Sequence, residues 1–182
     1  MTSAQETGPV ERIIRLHHMF RAGNIPHAFG GALALAWCTQ RARGTIDIDV
    51  NLFVSHRQAD EVLELLSPHI EVGEAHRRAV AADGQTRLWW DQTPVDLFFN
   101  TTDFHEQVAT RIRTERFGGD NVPFLACGDL AVFKTFFDRP QDWVDLGQMA
   151  EAGTLDFDSV AARIMHYLGV DDPRVQRLRE LA

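Results

Sequence analysis

The chain has 182 residues, is 45% apolar and 24% charged, and carries a formal net charge of −8. That length and apolar content suit one good-sized domain, or a small domain with a helical appendage, and exclude wholesale disorder. The acidic balance also withholds the global attraction on which binders of polyanions rely, so any RNA contact must run through local clusters: Arg41 with Arg43, His76-Arg77-Arg78, and Arg111-x-Arg113-x-x-Arg116.

In chain order, Met1–Pro9 is polar and lacks the basic start and apolar stretch of a signal peptide. No apolar run reaches the length of a membrane span, so a cytoplasmic protein with no membrane partner is expected. Val10, Ile13, Ile14, His17 and Phe20 recur at helical spacing and predict a helix over 10–21. Residues 24–29 form a turn into a short strand that delivers Gly30-Gly31, and the nearly all-apolar run 31–40 predicts a buried helix. Thr45–Val54 predicts the central strand. Its alternation sends Ile46, Ile48 and Val50 into the core and Asp47 and Asp49 to the opposite face. Residues 56–66 are an amphipathic helix stopped near Ser67-Pro68. Residues 79–83 and 86–91 flank Asp83-Gly84-Gln85, a hairpin signal, and 94–99 is the next strand, apolar except for Asp96. Such a meander predicts a mixed rather than a doubly wound parallel sheet.

Further on, 103–112 reads as helix, 113–117 as extended chain before Gly118-Gly119, and 128–137 as a helix that buries Leu130, Ala131, Phe133 and Phe137 and carries Lys134. Helices over 140–152, 156–168 and 173–181 complete the chain. The composition shifts near Phe124, so an α/β (α+β) catalytic part is expected in residues 1–123 and a helical part packed against it in 124–182. Cys38 and Cys127 fall in apolar helical patterns and are expected as buried thiols, not as ligands or nucleophiles. The eight histidines show no zinc spacing.

Two carboxylates close together on one strand face repel unless cations sit between them. Mg²⁺ takes oxygen ligands and keeps part of its shell for substrate phosphates. Gly30-Gly31 precede a helical run whose first N–H groups and dipole can hold phosphate. Asp96, in an otherwise apolar strand, is costly to bury unless paired or bound to metal. Each feature alone has an ordinary explanation: a turn, a solvated edge, an acid bonded at a strand end. In this order and spacing they point to phosphoryl or nucleotidyl transfer.

Gly30-Gly31, Asp47-x-Asp49 and Asp96 resemble the pattern of the nucleotidyltransferase superfamily. Within it, Arg43-x-Thr45-x-Asp47-Ile48-Asp49 resembles the AbiEii-type branch, which includes toxins of bacterial toxin–antitoxin pairs. Lys134 and the segment Arg139-Pro140-Gln141-Asp142-Trp143-Val144-Asp145 resemble that branch's Lys followed by Arg-x-x-Asp-x-x-Asp. The likeness covers residues 25–150 or so. It implies a mixed sheet flanked by helices and transfer of an NMP from an NTP to a hydroxyl. It also implies two Mg²⁺ ions, or Mn²⁺, held by Asp47, Asp49 and Asp96. Asp96 would accept the hydroxyl's proton as well. The resemblance places Gly30 and Gly31 against the triphosphate and turns Arg43, Thr45 and Lys134 toward phosphate charge.

Alternatives stay open at several positions. Lys134 is otherwise a surface lysine, Thr45 the start of a strand, and Asp142 and Asp145 structural partners of Arg43 or Arg139. Trp89, Trp90 and Trp143 stack a base or fill the core. Three acceptor readings follow. The first is RNA, a tRNA 3′ end in particular, with the protein as a toxin held by a cognate antitoxin. The second is a small molecule such as an aminoglycoside or lincosamide, or a protein hydroxyl, which the acidic balance suits. The third is a non-catalytic binding partner that keeps the fold.

Overall fold

The computed structural model describes residues 8–42 and 44–181. In order these form α1 (Pro9–Ala22), β1 (His27–Phe29), α2 (Gly31–Thr39), β2 (Ile48–Ser55), a 3-10 turn (His56–Gln58), α3 (Ala59–Leu66), α4 (Glu74–Asp83), β3 (Gln85–Trp90), β4 (Thr93–Asn100) and α5 (Asp103–Ala109). β5 (Arg113–Phe117), β6 (Asp120–Phe124), α6 (Cys127–Phe137), α7 (Pro140–Glu151), α8 (Phe157–Leu168) and α9 (Pro173–Arg179) follow. Two compact units result. Residues 8–29 and 45–124 make one; residues 30–44, Arg43 aside, and 125–181 make the other.

The first unit is built on a six-stranded sheet of order β3-β4-β2-β1-β6-β5. β2 runs parallel to β4 and β1 parallel to β6, while the other neighbours are antiparallel, so the sheet is mixed as the sequence predicts. A parallel pair needs a crossover, and here the chain between β2 and β4 supplies α3, α4 and the edge strand β3. Ile48, Val50 and Leu52 of β2 and Val95, Leu97 and Phe99 of β4 are buried on one face of the sheet. Strand alternation therefore sends Asp49 and Asp96 to the other face. α1, α3 and α5 add Leu16, Phe20, Leu63, Leu66, Phe104 and Val108 to the core.

Two local expectations are corrected. Residues 79–83 are the last turn of α4 rather than an arm of a hairpin, and Gly84 (φ +68°) is its left-handed C-cap, its N–H bonded to the Val80 carbonyl at 2.8 Å. Asp-Gly signals either structure because both need a residue at positive φ. A Cβ at Gly84 would also collide with the Thr101 methyl. The hairpin lies at Asp91-Gln92, with Asp91 at φ +54°, and pairs β3 with β4 from Trp90↔Thr93 to Gln85↔Phe98. The second correction is at the start of β2: the strand begins at Ile48 rather than Thr45, so the expected alternation does not reach Ile46, which is 73% exposed.

In the second unit α2 packs on α6 and α7, α6 on α8, and α8 on α9. Ala32, Ala34 and Leu35 of α2 are buried, as its composition predicts. Cys38 and Cys127 form a disulfide with Cα atoms 5.6 Å apart, which corrects the expectation of two free thiols. They stand 89 residues apart, and only the packing of α2 beside the start of α6 brings them within bonding geometry. Phe137, expected in the core, is 40% exposed at the end of α6, where the Arg139 guanidinium covers its ring at 4.9 Å. No helix among the described residues is long and apolar enough to cross a membrane.

Candidate active site

Asp49 and Asp96 of the first unit stand side by side on two neighbouring strands, and Arg87 continues the row onto a third. Asp49 on β2 is in register with Asp96 on β4, and Asp96 is directly opposite Arg87 on β3. Asp47 stands two residues before Asp49, just outside the strand, where the Thr45 hydroxyl oxygen accepts its N–H at 3.2 Å. The Thr45 hydroxyl thus braces the turn before β2, and Thr45 itself stands outside the strand that it was expected to start.

Arg87 ties the row together. Its Nε donates to Asp96 Oδ1 at 2.7 Å and its Nη2 to Asp96 Oδ2 at 2.6 Å, a fork-to-fork pair. The same Nη2 donates to Asp47 Oδ2 at 3.2 Å. Bonding to Asp96, and then the charges of Asp96, Asp47 and Asp49, raise the arginine's pKa further above its ordinary value. The cation is permanent. Nothing in a strand sequence announces such a residue; the usable signal was the hairpin register, since a loop at 91–92 puts position 87 opposite position 96.

Three carboxylates in a row are an oxygen-only donor set, the kind that suits Mg²⁺ or Mn²⁺. In the arrangement described, the guanidinium stands between Asp47 and Asp96, and no group of three ligating side chains among the described residues has metal-holding spacing. The donors fit such an ion in kind, and the place between them is taken by Arg87.

The other expected site residues belong to the second unit, except Arg43, which lies outside the described residues. Gly30 is the N-cap of α2 and Gly31 its first residue, at φ +52°, a conformation that a Cβ disfavours. No side chain caps this end, so the first N–H groups of α2 have the character of an anion-receiving turn. Lys134 is 5% exposed, against the expectation of a surface lysine should it lack a phosphate role. Its Nζ donates to Asp145 Oδ2 at 2.6 Å and to Asp142 Oδ1 at 3.4 Å. Arg139 holds Asp142 through Nε at 2.7 Å and Nη2 at 3.1 Å, while Gln141 holds Asp145 at 2.9 Å. Both carboxylates are buried and answered by α6 and α7 themselves.

Of the three tryptophans, Trp90 is buried and stacks on His69, and Trp143 is buried under the Arg177 guanidinium at 4.2 Å. Trp89 is 53% exposed, two residues from Arg87 and therefore on the face that carries the acids.

No family model matches the chain, and no curated protein matches it by sequence. Solved structures do. The antibiotic-resistance factor ANT(2″)-Ia matches 97% of this chain and 91% of its own, with a TM-score of 0.55 at 13% identity. The lincosamide antibiotic adenylyltransferase LnuA, lincomycin-bound, matches 76% and 94%, with a TM-score of 0.53 at 13% identity. An antigenic nucleotidyltransferase-like protein from Paracoccidioides brasiliensis matches 94% and 85%, with a TM-score of 0.52 at 14% identity. At such identities the likeness is one of fold: this chain has the nucleotidyltransferase fold.

Proposed function

We propose that the protein moves a nucleotidyl group from a nucleoside triphosphate to a hydroxyl of a small polar molecule, the hydroxyl oxygen bonding to the α-phosphorus as pyrophosphate leaves, in a reaction dependent on Mg²⁺. The supporting observation is the row of Asp47, just before β2, Asp49 on β2 and Asp96 beside it on β4, in a nucleotidyltransferase fold. Bound metal supplies charge neutralisation of the triphosphate and lowers the pKa of a hydroxyl. Asp47 and Asp49 hold such an ion, and Asp96 both holds it and takes the hydroxyl's proton on a carboxylate oxygen. The Gly30-Gly31 turn has the character of a phosphate receiver.

A small acceptor is favoured by how three of the seven clustered arginines are used. Arg77 pairs with Asp60 and Glu74, Arg113 with Glu115 at 2.5 Å, and Arg41 approaches Glu151 at 4.0 Å. Cations already answered by the protein's own acids contribute little to neutralising a polynucleotide. A net charge of −8 suits an amine-bearing acceptor instead. The neighbours fit this choice: one is described with adenylyl-2″-tobramycin and another as lincosamide-modifying. The second reading is a tRNA 3′ end, with the protein as a toxin held by an antitoxin. Arg43-x-Thr45-x-Asp47-x-Asp49, Lys134 and the Arg139–Asp145 segment favour it.

One experiment separates them. NTPs labelled at the α-phosphate are incubated with Mg²⁺, wild-type protein or Asp49→Asn, and aminoglycosides, lincosamides or total tRNA. Label on a drug, lost in Asp49→Asn, is the expected result. Label on tRNA alone moves the second reading to first place. No label on any acceptor overturns the proposal and leaves a binding module.

A further inference from the structure

We propose that Arg87 is a tethered cation occupying the metal position of the acid row, and that it must leave before a divalent ion is held there. The inference rests on the metal-dependent reading above and deepens it. Three observations carry it. First, Nη2 stands between Asp47 Oδ2 and Asp96 Oδ2 at 3.2 and 2.6 Å, so an ion shared by those oxygens needs the space the nitrogen fills. Second, the fork engages both oxygens of Asp96, the residue on which both the metal and the proton roles converge. Third, Arg87 can move without cost to the core. Its strand is the sheet's edge, its side chain is 48% exposed, and its neighbours Thr86 and Leu88 carry the buried side of β3.

The charge balance gives the device a purpose. Three carboxylates that meet on one face repel, and without a counter-ion the fold would carry that repulsion whenever metal is scarce. Arg87 cancels one of the three charges and bridges two of the acids. An arginine keeps its proton at any physiological pH, so only a competing cation can displace it. Once displaced, the fork is available to oxygens of a triphosphate, which it matches as well as it matches a carboxylate. Metal and nucleotide together therefore displace Arg87 more readily than metal alone.

The test is Mn²⁺ binding, measured by calorimetry and by the paramagnetic resonance of free Mn²⁺, on wild type, Arg87→Met and Arg87→Lys. Arg87→Met is expected to bind Mn²⁺ about tenfold tighter or more, the scale of one charge-assisted hydrogen bond to a competing cation. Arg87→Lys, a point charge without the fork, falls between the two. Without metal, Arg87→Met melts below wild type, and saturating Mn²⁺ closes the gap. Equal or weaker Mn²⁺ binding by a folded Arg87→Met overturns the proposal and leaves the metal reading standing. Should that variant not fold, Mn²⁺ binding by Arg87→Lys no tighter than wild type overturns the proposal in the same way. Absence of Mn²⁺ binding in all three proteins at millimolar ion overturns the metal reading itself, and this inference with it.

Discussion

Lys134 offers the sharpest test of how the second unit is held together. Replacing it by Met keeps the length and apolar stem of the side chain but removes the ammonium. Asp145 then loses its lysine and keeps the bond from Gln141, and Asp142 keeps Arg139, inside a site where Lys134, Asp142 and Asp145 are 5%, 1% and 0% exposed. Breaking a buried pair by deleting one partner typically costs about 3–5 kcal/mol, because the other charge stays buried and uncompensated. For a chain of this size that is a fall in melting temperature of roughly 6–20 °C. The cost belongs to the lost Lys134–Asp145 ion pair, so Lys134→Met with Asp145→Leu is expected to recover most of it, a coupling of at least about 2 kcal/mol. Urea unfolding of wild type, both single variants and the double variant measures this directly. A Lys134→Met protein that unfolds with wild type and yet transfers no nucleotide would refute the reasoning and return Lys134 to the phosphate role that the resemblance implies.

Two further outcomes are expected. The buried pair His17–His27 is neutral: His27 Nδ1–H donates to the Ile25 carbonyl at 2.8 Å, so its Nε2 accepts from His17 Nδ1–H at 2.9 Å. Burial pushes His27 down to about 4 and also lowers His17, with Arg21 adding to both. The unfolded chain takes up these protons near pH 6.5, so stability is full above that pH and falls as pH drops toward 4. At pH 4.5 the His27 share of the loss is about 2–3 kcal/mol, and His27→Gln should unfold with that much less difference between pH 7 and pH 4.5. An unchanged difference would remove His27 as its source. For the disulfide, alkylation under denaturing conditions should find no free thiol in oxidised protein, and Cys38→Ala with Cys127→Ala should lower stability by about 2–5 kcal/mol; full alkylation without reductant would contradict the Cys38–Cys127 bond.

What the sequence made legible was chemistry that has a local pattern. Asp49 in its strand, the lone acid at 96 and the apolar run after Gly30-Gly31 all rest on alternation or composition within a dozen residues, and the mixed sheet followed from their order. The misses are pairings between distant segments. Asp83-Gly84 is a stronger hairpin signal than Asp91-Gln92, yet it serves to cap α4. That single substitution of one turn for another hid Arg87, because paired residues of a two-residue hairpin mirror each other about its loop and only the loop at 91–92 sets 87 against 96. Cys38 and Cys127 were lost for the same reason: nothing in two apolar helices tells which of their faces meet.

The two acidic clusters show how one kind of residue serves two ends. Asp142 and Asp145 are buried, and their cations are bound at a cost of several kcal/mol to break, of order 3–5; such a pair is fixed for the life of the fold. Asp47 and Asp96, 34% and 16% exposed, meet a half-exposed arginine on an edge strand, where a charge-assisted fork is worth about 1.5–3 kcal/mol and a stronger cation can replace it. A scaffold needs the first arrangement and a binding site needs the second. Exposure of the carboxylates, more than their number, is therefore what separates the row of Asp47, Asp49 and Asp96 from the buried pair, and it is why, on the proposal above, Arg87 rather than Lys134 is the cation whose removal should change what the protein binds.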